Sequence, residues 1–77
     1  MLGKILDVYL PNEYKDNKLL DIMDRTKIGF KIKTKDEVLK IILDNNDNNS
    51  KIMKDDFVII RKQIISNKEF IDLILVN

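Results

Sequence analysis

A chain of 77 residues, 44% of them apolar, can build one small hydrophobic core, and no apolar run approaches the ~20 residues of a membrane-spanning helix. Cysteine and histidine are absent, which excludes disulfides, thiolate chemistry, cysteine-based zinc sites and the commonest general base. The net charge of +1 is too small to indicate a dedicated nucleic-acid coat. We expect a single soluble, cytoplasmic domain over residues 1–77, with no secretory signal and no membrane association.

The first half of the chain predicts two strands. Residues 2–10 alternate between apolar and polar side chains until Pro11 and Asn12 end the pattern. In residues 27–33 the large apolar side chains share one parity and the lysines share the other, as expected of a half-buried strand. Between these two strands, residues 19–23 fit either a short strand or one helical turn.

Residues 37–44 fit two structures. Thr34 and Glu37 stand at the spacing of a helix capping box, and the apolar residues that follow would fall on one helical face. The apolar run is short and rich in β-branched residues, so we favour a strand. The next stretch, residues 44–50, consists of Asp, Asn and Ser and predicts a loop, because these side chains bond their own backbone.

The end of the chain predicts a β-hairpin, which is the clearest element of the sequence. Residues 57–65 and 69–76 are rich in Ile, Val, Leu and Phe, and they flank the polar joint Ser66-Asn67-Lys68. With the earlier elements this gives five to six short strands and room for one short helix. We therefore expect a mainly β fold, a small antiparallel barrel or roll of OB-like or SH3-like architecture.

Both faces of the hairpin are apolar, although the inner face of one sheet can bury only one of the two sets. Either residues 19–23 cover the second set or a protein partner does, with a homodimer as the simplest case. With Phe57 and Ile59 in the core, truncating either to alanine would cost about 2 to 5 kcal/mol. The main functional prediction is a small non-enzymatic protein that binds protein. Its predicted interface consists of Ile60, Ile64, Phe70 and Ile74.

A basic strip around the second strand predicts an alternative function, weak binding of single-stranded nucleic acid. Its members are Arg25, Lys27, Lys31, Lys33 and Lys35. Such a groove also needs aromatic rings on which bases stack, and Tyr9 and Tyr14 are the candidates for exposed rings. Lysines on the wet face of a strand also protect a sheet edge against aggregation without any ligand.

Two groups of polar residues are candidate sites for a cation or for acid–base chemistry. The residues Asp44, Asn46, Asn48 and Asp55 match positions 1, 3, 5 and 12 of a calcium-binding loop, but Asn49 replaces its glycine and flanking helices are lacking. Asp21 and Asp24 could meet Asp7 or Asp72, although Asp24 equally fits a turn in which it bonds the amide of Thr26. We expect no catalytic residues, cofactor or metal, and leave open whether residues 44–50 bind a cation.

Overall fold

The structure is a computed structural model that describes residues 1–11 and 24–76. Its five strands are β1 Leu2–Tyr9, β2 Lys27–Lys33, β3 Val38–Asp44, β4 Phe57–Ile65 and β5 Lys68–Val76, and the helix α1 is Asp47–Ser50. The strands form one antiparallel sheet in the order β3-β2-β1-β4-β5. The mainly β prediction is confirmed. The described strands leave β3 and β5 as separate edges, so the sheet is not closed into a barrel.

Some predicted features cannot be compared with this sheet. The element at residues 19–23, the ring of Tyr14 and the carboxylate of Asp21 lie outside the described residues. Within the described residues, no helix is both long enough and apolar enough to cross a lipid bilayer.

Residues 37–44 form a strand, as favoured above. β3 pairs with β2 from Lys33 opposite Val38 to Lys27 opposite Asp44. Thr34 and Glu37 do interact, but across the turn of this hairpin. The amide of Thr34 donates to the Glu37 carbonyl at 2.8 Å, and the amide of Glu37 donates to the Thr34 hydroxyl at 3.2 Å. The spacing that resembles a capping box therefore stabilises a β-turn.

The predicted loop over residues 44–50 contains the single turn of helix α1. Asn46 is its N-cap, and the side-chain oxygen of Asn46 accepts a hydrogen bond from the Asn49 amide at 2.9 Å. Asn49 is buried, and its side-chain NH₂ donates to the Asp44 carbonyl at 2.8 Å. The same short polar side chains that predict a loop also satisfy the free backbone groups of a short helix, which is why one forms here.

The inner face of the sheet holds the core. The buried apolar residues of this core are Ile5, Ile28, Phe30, Ile32, Ile41, Ile52, Val58, Ile60 and Leu73. β2 contributes the three residues that its alternation predicts. In β1 the pairing with β2 shifts between Ile5 and Asp7, which marks a β-bulge. The bulge changes the parity along β1, so simple alternation over residues 2–10 does not describe which of its side chains are buried.

Gly3 lets side chains of two neighbouring strands approach each other over β1. An added Cβ atom at Gly3 would overlap Cγ2 of Ile32 on β2 and would lie 3.4 Å from Cδ1 of Ile60 on β4. At this position of β1, the side chains of Ile32 on β2 and Ile60 on β4 therefore fill the space that a side chain of residue 3 would occupy.

A two-residue turn joins β4 to β5. Ser66 and Asn67 have φ angles of 52° and 63°, as in the type I′ turns of tight hairpins, and Lys68 already belongs to β5. The pairing runs without interruption from Phe57 opposite Val76 to Ile65 opposite Lys68. The turn therefore fixes which side chains of both strands share a face.

The hairpin places the opposite set of side chains in the core from the one expected. Val58 and Ile60 are buried together with Leu73, whereas Phe57 and Ile59 are exposed on the outer face. The prediction that Phe57 and Ile59 are core residues is therefore wrong, and Ile60 is a core residue instead of an interface residue. Both parities of the hairpin are apolar, so the sequence pattern contains no signal that orients it.

Neighbouring isoleucines on β4 test this assignment. Ile60 is 5% exposed and Ile59 is 37% exposed. We expect Ile60→Ala to lower the free energy of unfolding by about 2 to 5 kcal/mol, because it leaves a cavity in the core. Ile59→Ala should cost less than about 1 kcal/mol. Urea denaturation followed by circular dichroism measures both, and a larger loss at Ile59 would contradict the assignment.

Candidate functional site

One row of outer-face side chains runs across all five strands. Lys4 on β1 lies opposite both Lys33 on β2 and Phe57 on β4, so these three side chains share the outer face. Lys33 in turn lies opposite Val38 on β3, and Phe57 lies opposite Val76 on β5. The outer face is therefore basic towards β2 and apolar towards β5, and the two parts meet between Lys4 and Phe57.

The apolar part is formed by outer-face side chains of β1, β4 and β5. We call it the apolar patch, and it consists of Leu2, Phe57, Ile59, Ile74 and Val76. Leu2 lies opposite Ile59, which lies opposite Ile74, so the patch continues across three strands. Every member is more than one-third exposed. Single exposed apolar residues are common, but contiguous exposed apolar groups are typical of interaction surfaces, which makes this patch a candidate site.

An ion pair limits the apolar patch towards the turn of the hairpin. The guanidinium of Arg61 donates two hydrogen bonds to the Asp72 carboxylate, at 2.8 and 3.2 Å, and Gln63 donates a third at 3.3 Å. The bonds from Arg61 lower the pKa of Asp72, and the same contact raises the pKa of Arg61. Both side chains are exposed, so the pair contributes little to stability and mainly makes this part of the outer face polar.

The four predicted interface residues do not form one surface. Ile74 belongs to the apolar patch, and Phe70 lies on the same outer face beyond the Arg61–Asp72 pair. Ile64 is 77% exposed, but it has the parity of the core residues and extends past the core near the turn. Ile60 is buried. Two of the four residues are therefore exposed on the outer face of the hairpin.

The predicted basic strip is also divided. Lys31 and Lys33 lie on the outer face of β2, as expected from alternation. Lys27 donates a hydrogen bond to the Asp44 carboxylate, and this bond raises the pKa of Lys27. Arg25 precedes β2 in a turn, and Lys35 lies in the turn between β2 and β3.

Two further lysines join Lys31 and Lys33 across the strands. Lys40 on β3 lies directly opposite Lys31, and Lys4 on β1 lies opposite Lys33. We call these four residues the basic patch. Lys4 has a long contact of 3.9 Å with Asp55, whereas the other three have no ion-pair partner among the described residues. Neither Lys4 nor Lys40 was predicted, because their place depends on pairing between separate strands.

An aromatic ring lies beside the basic patch, but it is not the predicted one. Tyr9 is buried, so its assignment as an exposed ring is wrong. Phe57 is exposed and lies opposite Lys4, and a shallow groove is lined by Phe57 and Leu2 together with the lysines of positions 4, 33 and 35. The sequence pattern did not predict Phe57 as the ring beside the lysines, because its place opposite Lys4 follows from the register of β1 against β4.

Two of the four candidate cation ligands are used in other contacts. The carboxylate of Asp44 pairs with Lys27, and the side-chain oxygen of Asn46 caps α1. Within residues 1–11 and 24–76, no three His, Cys, Asp or Glu side chains come together as a metal site. Among the described residues, no third acidic side chain therefore joins Asp44 and Asp55 to form a cluster of carboxylates.

Asp24 forms the turn expected of it. Its carboxylate accepts hydrogen bonds from the Thr26 amide at 2.8 Å and from the Thr26 hydroxyl at 2.7 Å. The hydrogen bond from the Thr26 amide is the main cause that lowers the pKa of Asp24. Asp7 accepts a bond from the Val8 amide at 2.9 Å, and Asp72 pairs with Arg61. The described carboxylates of this group are thus engaged separately.

No function can be transferred from a relative. Comparisons with protein-family models, with curated proteins and with solved structures give no match to this chain. The function is therefore inferred from the chemistry of the outer face.

Proposed function

We propose that the protein is a small, non-enzymatic binding protein that associates with protein through the apolar patch. The simplest occupant is a second copy of the chain, and the next is a different protein with a complementary apolar surface. The observation that carries the proposal is the continuous apolar group that β1, β4 and β5 present on their outer face. A cytoplasmic location fits it, because the chain has no cysteine for the disulfides of secreted domains.

A comparison within the same sheet supports this proposal. On β2 the outer face is largely lysine, which is the normal arrangement for a sheet with one solvated side. On the C-terminal hairpin the outer face carries Phe57, Ile59 and Ile74 instead. Burial of apolar surface contributes about 25 cal/mol per Å², so covering these side chains would stabilise a complex. The core cannot use them, because they lie on the opposite side of the sheet.

Two exposed isoleucines on opposite edge strands provide a matched test. Ile74 on β5 is 43% exposed and belongs to the patch, while Ile42 on β3 is 45% exposed and does not. We expect Ile74→Glu to weaken association about tenfold or more, since it buries a charge in an apolar contact. Ile42→Glu should have no such effect. Light scattering over a concentration series at high salt, where apolar association persists, measures the mean mass.

The wild-type mass should rise above the 9.1 kDa of the monomer as the concentration increases. A mass that stays at 9.1 kDa for the wild type, or equal losses in both glutamate variants, would contradict self-association through the patch.

A second candidate function is weak binding of single-stranded nucleic acid by the basic patch. The observation that favours it is the cross-strand grouping of Lys31 with Lys40 and of Lys33 with Lys4 on the outer face, although the Asp7 carboxylate lies opposite Lys31 on the β1 side. Phe57 beside Lys4 could stack one base.

The five-stranded open sheet supports an OB-like architecture, in which strands 2 and 3 present the binding face. An SH3-like barrel remains the other architecture proposed.

Charge reversal tests the second candidate. Lys31→Glu with Lys33→Glu should reduce the affinity for a fluorescent oligothymidine about tenfold or more, because it removes phosphate contacts. Lys51→Glu with Lys54→Glu makes the same change in net charge away from the patch and serves as the control. Fluorescence anisotropy at several salt concentrations gives the affinities. Equal losses in both variants would show that only net charge matters and would refute a specific basic patch.

A further inference from the structure

Among the described strands, β5 ends the sheet and has one unpaired backbone edge. The two-residue turn makes Ile65 and Lys68 a hydrogen-bonded pair, so the even-numbered residues of β5 bond to β4. The amide of Ile60 on β4 donates to the Met1 carbonyl at 2.7 Å. Even-numbered residues of β4 therefore bond towards β1, and its odd-numbered residues bond to the even-numbered residues of β5. Four residues of β5 therefore direct their N–H and C=O groups away from β4: Glu69, Ile71, Leu73 and Leu75. In the described part of the chain, none of these groups has a hydrogen-bond partner.

β5 lacks three features that commonly block an edge strand against pairing with another strand. Natural edge strands are commonly protected by a proline, a bulge or a lysine in mid-strand. β5 has no proline, pairs with β4 without a bulge and has its only lysine at its first position, Lys68. The opposite edge, β3, carries Lys40 at its centre. The unprotected edge of β5 is thus a specific feature of this end of the sheet.

We propose that β5 pairs antiparallel with β5 of a second copy, with Phe70 opposite Phe70 of that copy. This contact uses the strand edge and is separate from the apolar patch. A two-fold symmetric antiparallel pair must place one residue opposite its own copy. The choice of that central residue decides which charges meet across the new interface.

Charge complementarity selects Phe70 as the central residue. With Phe70 at the centre, Lys68 of each copy lies opposite Asp72 of the other, and opposite charges in this position attract. Centring on Asp72 would place two carboxylates opposite each other. Centring on Ile74 would place Asp72 opposite Val76 and would leave Lys68 outside the overlap, so no opposite charges would meet across the interface.

The shape of the edge favours the same register. A groove runs beside Ile71–Leu75, and its far wall is formed by residues of the α1 region, among them Asn46, Asn48 and Lys51. The edge at Lys68–Phe70 lies outside this groove. A second sheet can therefore approach at Phe70, whereas at Ile74 it would have to pass the α1 region.

The expected contact is weak. It includes backbone bonds between Glu69 and Ile71 of the two copies and a central pair of phenylalanine rings, and Phe70 is 50% exposed in the single chain. An overlap of Lys68–Asp72 is small beside the roughly 1,200–2,000 Å² of a stable interface. We therefore expect association that increases with concentration, without a permanent dimer.

Single-cysteine variants of the full chain test the register, because the chain has no cysteine of its own. At a non-hydrogen-bonded antiparallel pair the Cα atoms lie about 4.5 Å apart, which is within the range of a disulfide. Phe70→Cys should form a disulfide-linked dimer about tenfold or more faster than Ile42→Cys under the same mild oxidation, because Ile42 is similarly exposed but lies on β3, outside both the β5 edge and the apolar patch. Non-reducing electrophoresis gives both rates. Equal rates, or a faster reaction of Ile42→Cys, would overturn the proposal.

A charge exchange provides a second measurement. Lys68→Asp places like charges opposite Asp72 and should slow the cross-linking of the Phe70→Cys chain about tenfold. Adding Asp72→Lys together with Arg61→Asp, which reverses the ion pair between β4 and β5 without removing it, should restore much of the rate. No restoration would refute the register. Adding Ile74→Glu to Phe70→Cys should leave the cross-linking unchanged. If Phe70→Cys cross-links while Ile74→Glu leaves the mass unaffected, only the apolar patch is refuted, and the reverse result refutes only the edge contact.

Discussion

The register of the C-terminal hairpin is the constraint on which the other features depend. Ser66 and Asn67 both adopt positive φ angles, and the resulting two-residue turn leaves β4 and β5 only one way to pair. Because side chains alternate along a strand, this register places Ile60 on one face together with Leu73, and Ile59 on the opposite face together with Ile74. Because backbone hydrogen bonds alternate as well, it also decides which amides of β5 face the free edge.

β1 is the central strand of the open sheet and joins its two halves, β2 with β3 and β4 with β5. β1 pairs with both β2 and β4, and Gly3 lets Ile32 and Ile60 approach each other across it. Among the described residues, the inner face of this sheet supplies the buried core except for Ile52, which lies between α1 and β4. Apolar residues on the outer face, such as Phe57, are then surplus to folding. This surplus is the physical basis for proposing that they bind protein.

Local signals were sufficient for much of the fold. The strands β2 and β3, the hairpin and the bond from Asp24 to the Thr26 amide all follow from residues close together in sequence. Which face of the hairpin is buried did not follow from the sequence, since both parities are apolar and burial depends on how β4 pairs with β1. The outer-face patches also required pairing between distant strands, which brings Lys4 beside Phe57. A single sequence contains no signal for such a contact, and it gave no signal for the bulge that alters the parity of β1.

Amide hydrogen exchange of β5, measured by NMR in dilute solution, tests the hairpin register most directly. The account predicts slow exchange for the amides of Phe70, Asp72 and Ile74, which bond to β4, and fast exchange for the intervening amides, which face the free edge. Uniform protection along β5 would mean that the sheet continues beyond this strand. The opposite alternation would mean that the register is shifted by one residue, and either result would contradict the account.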